Sequence, residues 1–420
     1  MFNFPFPLPD AFSSGINLED KSDMQINIDN RKRLVRMIIP AVYVVIISMV
    51  LVRAFRKPEY NWDMLAYIAV VISGNQQDIA GIHRETYQAA RDQTPPAAFQ
   101  QLVNPANPYR LNMFRNDTAF YRQLPFYVVK PLYTALVYLG NRAGFSLPAS
   151  TVLPSVIAYF GIAILLFFWF SKYLDLLYAA AAALLMMLSA PLLTVSGLST
   201  PDALSAFLLL ASFYFILQKP LLSVVLFFMT ASVLARLDNI IVCVLTLFLL
   251  AFARKAPFKI GKIGCLGIFL WLSAVYLFVA HRASTFGFGA FYYPSFLRYL
   301  NMPHRFQAHF SLGDYLQVFR ADAITGFYHS AIALFGFLAL LLFYKNGRAP
   351  LHGLSFYSLL PVLFCLIFVI RFMLDPDISD RFYIPYYLLI VVLWVQALTE
   401  KDSSVFQTSK TGLIDGDPVH

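Results

Sequence analysis

Charge is what this 420-residue chain has least of. Charged residues make up 13% of it, about half the share of an ordinary soluble protein. A soluble multi-domain enzyme is excluded on that ground. Cysteine is scarce too. The three present, Cys243, Cys265 and Cys365, sit inside apolar runs, so they form neither a disulfide framework nor a zinc site and read as small buried hydrophobes. The seven histidines are scattered, with no pair at metal-ligand spacing on a helix. A divalent cation held by carboxylates is left open. No basic run interleaves with aromatics, so the net charge of +9 does not imply nucleic acid. There is no internal repeat and no low-complexity segment. Residues 1–30 are polar before any apolar run begins, the wrong order for a cleavable signal. We read 1–33 as an N-terminal cytoplasmic tail and 399–420 as a C-terminal one, with no soluble C-terminal domain.

What is present is apolar sequence, 59% of the chain, arranged in uncharged runs. The expected fold is an all-α polytopic membrane protein. Ten runs are candidate transmembrane helices: 36–54, 150–170, 176–197, 202–218, 220–235, 239–253, 263–281, 324–344, 353–370 and 382–398. Several are short for a hydrocarbon core of roughly 30 Å. The run 126–140 contains Lys130 and Pro131 and suits an interfacial helix better than a crossing.

Basic residues set the orientation. Arg31, Lys32, Arg33 and Arg36 precede the first run and place the N-terminus inside. If 126–140 does not cross, the basic loops 254–262 and 345–353 also fall inside. Large external loops then lie at about 55–149, 282–323 and 371–381, within a transmembrane domain of 34–398. Ten of twelve lysines fall inside by this count, and fifteen of twenty arginines outside. Orientation explains the lysines. The outside arginines suit bidentate recognition of phosphate or carboxylate.

Five stretches carry candidate chemistry. In Tyr60-Asn61-Trp62-Asp63, Asn61 is a candidate cap for an apolar helix lying along the membrane surface. Asp63 and Tyr67 then share a face. Asp63 is either a general base or a carboxylate that merely favours the helix dipole. Arg110, Arg115, Asp117, Arg122 and Lys130 form either a lipid-phosphate site or a basic surface patch. Ser199-Thr200-Pro201-Asp202 reads as a helix start with Thr200 as cap, placing Asp202 at membrane depth, where a carboxylate is costly unless used or paired. Arg236-Leu237-Asp238-Asn239 is a tight turn holding an internal ion pair or a phosphate ligand in Arg236. Asp375-Pro376-Asp377-Ile378-Ser379-Asp380-Arg381-Phe382-Tyr383 crowds three carboxylates and Arg381 at the outside interface. Tyr383 and Tyr387 are belt aromatics or part of that site. Asn116-Asp117-Thr118 matches a glycosylation sequon, a short pattern that is often accidental.

On these residues the chain resembles the glycosyltransferase C superfamily, in particular its protein mannosyltransferase and lipid A aminoarabinose transferase branches. Asp63 resembles the acidic residue early in that family's first external loop. Lys130-Pro131-Leu132-Tyr133 partly matches a Lys-Pro-Pro-Leu-like element, lacking the second proline. Asp202 resembles an aspartate at the external start of a later span. Asp380-Arg381-Phe382-Tyr383-Ile384-Pro385 resembles an Arg-Tyr-x-x-Pro-like start with one residue inserted. The paired acidic motif of the protein mannosyltransferases is absent.

The resemblance implies a membrane glycosyltransferase with a polyprenyl-phosphate sugar donor and a glycan, lipid or protein acceptor. The site would face the outside of a membrane, the bacterial inner membrane being the expected one. Asp63 would be the base. The phosphate ligands would come from Arg110, Arg115, Arg122, Lys130, Arg236 and Arg381, and Tyr67, Asp202, Asp380 and Tyr383 would position substrate. The rival readings are a polysaccharide polymerase or ligase of another fold, a transporter or flippase with helices broken at mid-membrane, and a structural membrane subunit.

Overall fold

A computed structural model describes residues 18–219, 221–253, 255–258, 260–283, 311–346, 355–375, 377 and 379–411, with side chains left undescribed at 18–33, 35, 322, 325–329, 346 and 400–411. The chain divides into two compact units, Met1–Ile46 and Ile47–His420. All side-chain geometry below belongs to the second. Every regular element among the described residues is a helix. An isolated parallel bridge joins Glu59 and Leu198.

In chain order the helices are α1 Leu18–Arg56, α2 Asp63–Ser73, α3 Ile79–Gln93, α4 Pro96–Val103, α5 Pro108–Arg115, α6 Asp117–Tyr121, α7 Pro125–Val128, α8 Pro131–Arg142, α9 Leu147–Phe170, α10 Leu176–Met187, α11 Ala190–Ser196, α12 Asp202–Gln218, α13 Leu222–Ala235, α14 Asn239–Phe252, α15 Lys262–Arg282, α16 Leu312–His329, α17 Ile332–Asn346, α18 Phe356–Leu374 and α19 Ile384–Thr411. A 3-10 turn, Asp380–Phe382, precedes α19.

Four helical segments among the described residues are long and apolar enough to cross a membrane: Arg36–Arg56, Leu147–Phe170, Lys262–Arg282 and Phe356–Leu374. α10 and α11 make a fifth if a pair bent by 70° counts as one span. The chain is thus an integral membrane protein by helix length and composition. Among the described residues the helices do not supply ten full-length spans. At 1.5 Å per residue, α13 and α14 reach only about 21 Å each. The run expected at 324–344 is split between α16 and α17. α8, with 12 residues, reaches about 18 Å, too short to cross.

The bend between α10 and α11 has a local cause. Pro191, in the first turn of α11, has no N–H to donate to the carbonyl of Met187 four residues back. The buried hydroxyl of Tyr159 on α9 donates to that carbonyl instead, at 2.6 Å. Two residues, Leu188 and Ser189, separate the helices.

The first loop folds into its own core. α2 was expected along the membrane surface, but Met64 through Ala69 are wholly buried. All of these but Tyr67 pack in one cluster with Trp62 and with Ile82, Tyr87, Leu102, Met113 and Phe120 from the following segments. The apolar run that read as a lipid-facing helix is covered by protein. Asn61 is not its cap: Trp62 occupies that position without a side-chain bond. Asn116 of the sequon serves as N-cap of α6, accepting from the Ala119 N–H at 2.9 Å.

The close approach of α9 and α12 depends on Gly161, where a Cβ would come within 2.7 Å of the Phe207 ring.

Candidate functional site

The start of α9 holds the loop that delivers Asp202. Ser155 donates to the carbonyls of Leu198 and Thr200 at 2.7 and 3.0 Å, and Thr151 donates to Ser199 at 3.0 Å. The Glu59 N–H donates to Gly197 O at 3.0 Å, tying the chain after the first span to the same loop. Thr200 does not cap the backbone of α12. Its hydroxyl donates to Asp202 Oδ2 at 2.7 Å.

Asp202 is 2% exposed and is paired. Its Oδ1 accepts from Arg236 Nη1, and Arg381 Nε lies 3.9 Å from its Oδ2. Arg236 turns the rest of its guanidinium on Asp238, through Nε and Nη2 at 3.1 Å each. Asp238 Oδ2 in turn accepts from Arg371 Nη1 at 2.5 Å. Two carboxylates therefore alternate with three arginines drawn from the turn between α13 and α14, the end of α18 and the 3-10 turn. Phe382 fills the middle, with the guanidinium carbons of Arg236, Arg371 and Arg381 at 4.6, 4.9 and 4.6 Å from its ring centre, within cation–π range. Asn239 donates to Ser205 and to Ser232 O, both at 2.8 Å, and locks α12, α13 and α14 behind them.

The cluster is not saturated. Arg371 is 7% exposed, yet its Nε and Nη2 lack hydrogen-bond partners among the described residues, as does Arg381 Nε. A small cavity lined by Asp202, Ser205, Arg236, Asn239, Arg371, Arg381 and Phe382 adjoins these donors. Unfilled buried donors on a cation are expensive and suit an anion.

Electrostatics follow the pairing. Burial would raise the Asp238 carboxyl, but Arg236 and Arg371 outweigh it and hold it well below the usual range. Burial would loosen the proton of Arg381, and Asp202 followed by Asp63 tightens it, so its pKa lies above the ordinary value. Asp375, near Arg371 and Asp377, is pushed up to about 6 chiefly by burial.

Asp63 stands on the adjoining wall. Its Oδ1 accepts from the Tyr127 hydroxyl at 3.0 Å and its Oδ2 from Asn61 Nδ2 at 3.4 Å. Lys130 donates to the Tyr67 hydroxyl at 2.9 Å and lies 5.3 and 5.1 Å from the ring centres of Tyr67 and Tyr127. Burial lowers the Lys130 pKa to about 8, with Asp63 partly restoring it.

Of the expected residues, the structure brings together Asp63, Tyr67, Lys130, Asp202, Arg236, Arg381 and Tyr383. It leaves Arg110, Arg115 and Arg122 apart. Arg115 and Arg122 are exposed, and Arg110 Nη1 donates to Gln101 O at 2.6 Å, closing its own loop. Those three fit the surface-patch reading. Asp380 belongs to scaffolding: its Oδ1 accepts from the Ala331 N–H at the start of α17 (2.9 Å) and from Tyr387 OH (2.8 Å).

Sequence reasoning missed two residues. Arg371 marked only the edge of a loop, although a lone arginine ending an apolar run was the available signal. Tyr127 gave none, because its contact with Asp63 spans 64 positions. Among the described residues no group of three or more His, Cys, Asp or Glu is placed to hold a metal ion.

No protein-family profile, curated protein or solved structure matches this chain.

Proposed function

We propose that the chain is a membrane glycosyltransferase moving a sugar from a polyprenyl-phosphate donor to an acceptor hydroxyl, in an inverting displacement. The observation that carries this is Arg371: a buried guanidinium, anchored by one nitrogen and open at two. Arg236 and Arg381 share the Phe382 ring with it, Lys130 lies within electrostatic reach of Arg236 and Asp202, and the tethered carboxylate of Asp63 within reach of Lys130 and Arg381. In this reading Asp63 accepts the acceptor proton and the acceptor oxygen bonds to the anomeric carbon. The bond from that carbon to the phosphate oxygen breaks, and the lipid phosphate leaves with the electron pair. The arginines stabilise its growing charge, while Asp202 and Asp238 hold them in place. The outward-facing site and a bacterial inner membrane belong to the same proposal.

The transporter reading draws on one feature, the bent α10–α11 pair. Transporters place their ligand-binding groups at such breaks. Here the break holds Leu188 and Ser189, and the ionisable groups lie beyond α11.

The test is transfer by the purified chain from radiolabelled polyprenyl-phosphate mannose, glucose and aminopentose in a membrane extract. Asp63→Asn should lose roughly 10²-fold or more in kcat. Arg371→Met should lose about as much while the fold persists. Transfer by Asp63→Asn at the wild-type rate would remove Asp63 as base.

A further inference from the structure

A second concavity lies on the other side of Asn61. It is lined by Arg56, Lys57, Pro58, Glu59, Tyr60 and Asn61 from the end of the first span, and by Pro95, Ala97, Ala98 and Gln101 from the start of α4. Its volume is about 620 Å³ and it opens to solvent, large enough for a head group with several polar atoms. Arg56, Lys57 and Glu59 are all exposed, and no ion pair engages them among the described residues. The rim therefore carries two cations against one carboxylate. Its position is at the terminus of a helix long enough to span the bilayer, Arg36–Arg56. The opposite wall, Pro95, Ala97 and Ala98, presents small apolar surface. Asn61 joins this groove to the candidate base, giving Nδ2 to Asp63 while its buried Oδ1 has no hydrogen-bond partner among the described residues.

We propose that this groove binds a phosphate-bearing lipid head group, with Arg56 and Lys57 on the phosphate and Asn61 Oδ1 accepting from a head-group hydroxyl. A lipid fits better than a soluble phosphate ester, because the cations sit where a span meets the interface and the wall facing them is apolar. Where the glycosyltransferase reading holds, such a lipid is the acceptor. Its hydroxyl passes Asn61 to reach Asp63, gives up its proton there and forms the new bond to the sugar. The binding claim rests on the groove alone, and the acceptor role rests also on that reading.

The experiment uses the full chain in phosphatidylcholine nanodiscs doped with a photoreactive phosphatidylglycerol, with cross-links mapped by peptide mass spectrometry. Labelling should concentrate on 95–101 and 57–61. Removing each cation should weaken it about fivefold, the loss expected when one basic residue leaves a membrane-surface phosphate, so Arg56→Ala with Lys57→Ala should weaken it more than tenfold. Both side chains are exposed, so the fold should survive, as a thermal melt will verify. The control pair Arg115→Ala with Arg122→Ala, exposed cations elsewhere on the same loop, should leave groove labelling unchanged.

Equal losses in both pairs, or labelling spread evenly round the chain, would overturn the site. Suppression by soluble glycerol phosphate at a concentration matching the lipid would overturn the choice of a lipid. In the wild-type chain, labelling of the groove alongside absent sugar transfer would leave the head-group site standing and count only against the glycosyltransferase reading.

Discussion

Lys130 is where one side chain's environment makes the sharpest prediction. Burial brings its pKa to about 8 from the ordinary 10.5. The folded chain thus holds a proton less tightly than the unfolded one. The cost of keeping Lys130 charged is present in full below about 8 and disappears as pH climbs toward 10.5. A phosphate needs the charged form, so anion affinity should fall as pH rises through about 8. Lys130→Arg should keep that affinity to higher pH, because guanidinium stays protonated. Titrating donor-lipid binding against pH in the two proteins will check this, and identical profiles would remove Lys130 as a phosphate ligand. Asp375 works in the opposite sense. Its carboxyl is raised to about 6 from 3.8, so the stability it adds is full below 3.8 and is lost as pH rises through about 6. Asp375→Asn should flatten the pH dependence of Tm across that window.

At the scale of helices, the bend at Leu188–Ser189 stands on a single substitute donor. Tyr159→Phe would leave the Met187 carbonyl buried and unpaired, which costs about 1–3 kcal/mol. A denaturant or thermal melt in detergent should register that loss, while Ser171→Ala, at the far end of α9, should not. The same bend marks where sequence reading runs out. The uncharged apolar run 176–197 read as one span, but whether its proline kinks a helix or starts a new one depends on who takes the abandoned carbonyl. That partner is 28 residues away. α2 shows the same limit in burial. Its apolar run was plain in the sequence, but its covering by Ile82, Leu102, Met113 and Phe120 depends on how α3 to α6 fold back. The site divides likewise. Asp202 and Arg236 were legible because ionisable groups at the ends of apolar runs are costly unless used. Arg110, Arg115 and Arg122 were misleading because nearness in sequence to Lys130 passed for nearness in space. The pairing of Asp238 with Arg371 joins elements 133 positions apart, and no local pattern encodes it.

For the whole molecule, everything functional turns on which residues share a side of the membrane. α9 has 24 residues and reaches about 36 Å, so Arg142 before it and Lys172 after it must lie on opposite faces if it crosses. α8 is too short to cross, so Lys57, Arg115 and Arg142 should share one face. With Cys243, Cys265 and Cys365 replaced by alanine, single cysteines at Arg115 and Arg142 should react with an impermeant maleimide from the same side of sealed vesicles. A cysteine at Lys172, exposed beyond the end of α9, should react only after permeabilisation, or the reverse in inverted vesicles. Agreement between Arg115 and Arg142, with Lys172 opposed, puts Asp63 and the arginines on one aqueous face, where a base and a departing phosphate can meet. If Arg142 instead labels with Lys172, α8 and its neighbours cross the membrane. The wall that carries Asp63, Tyr127 and Lys130 could not then face Arg371 and Arg381 from the same side, and the proposed transfer would have no shared chamber in which to happen.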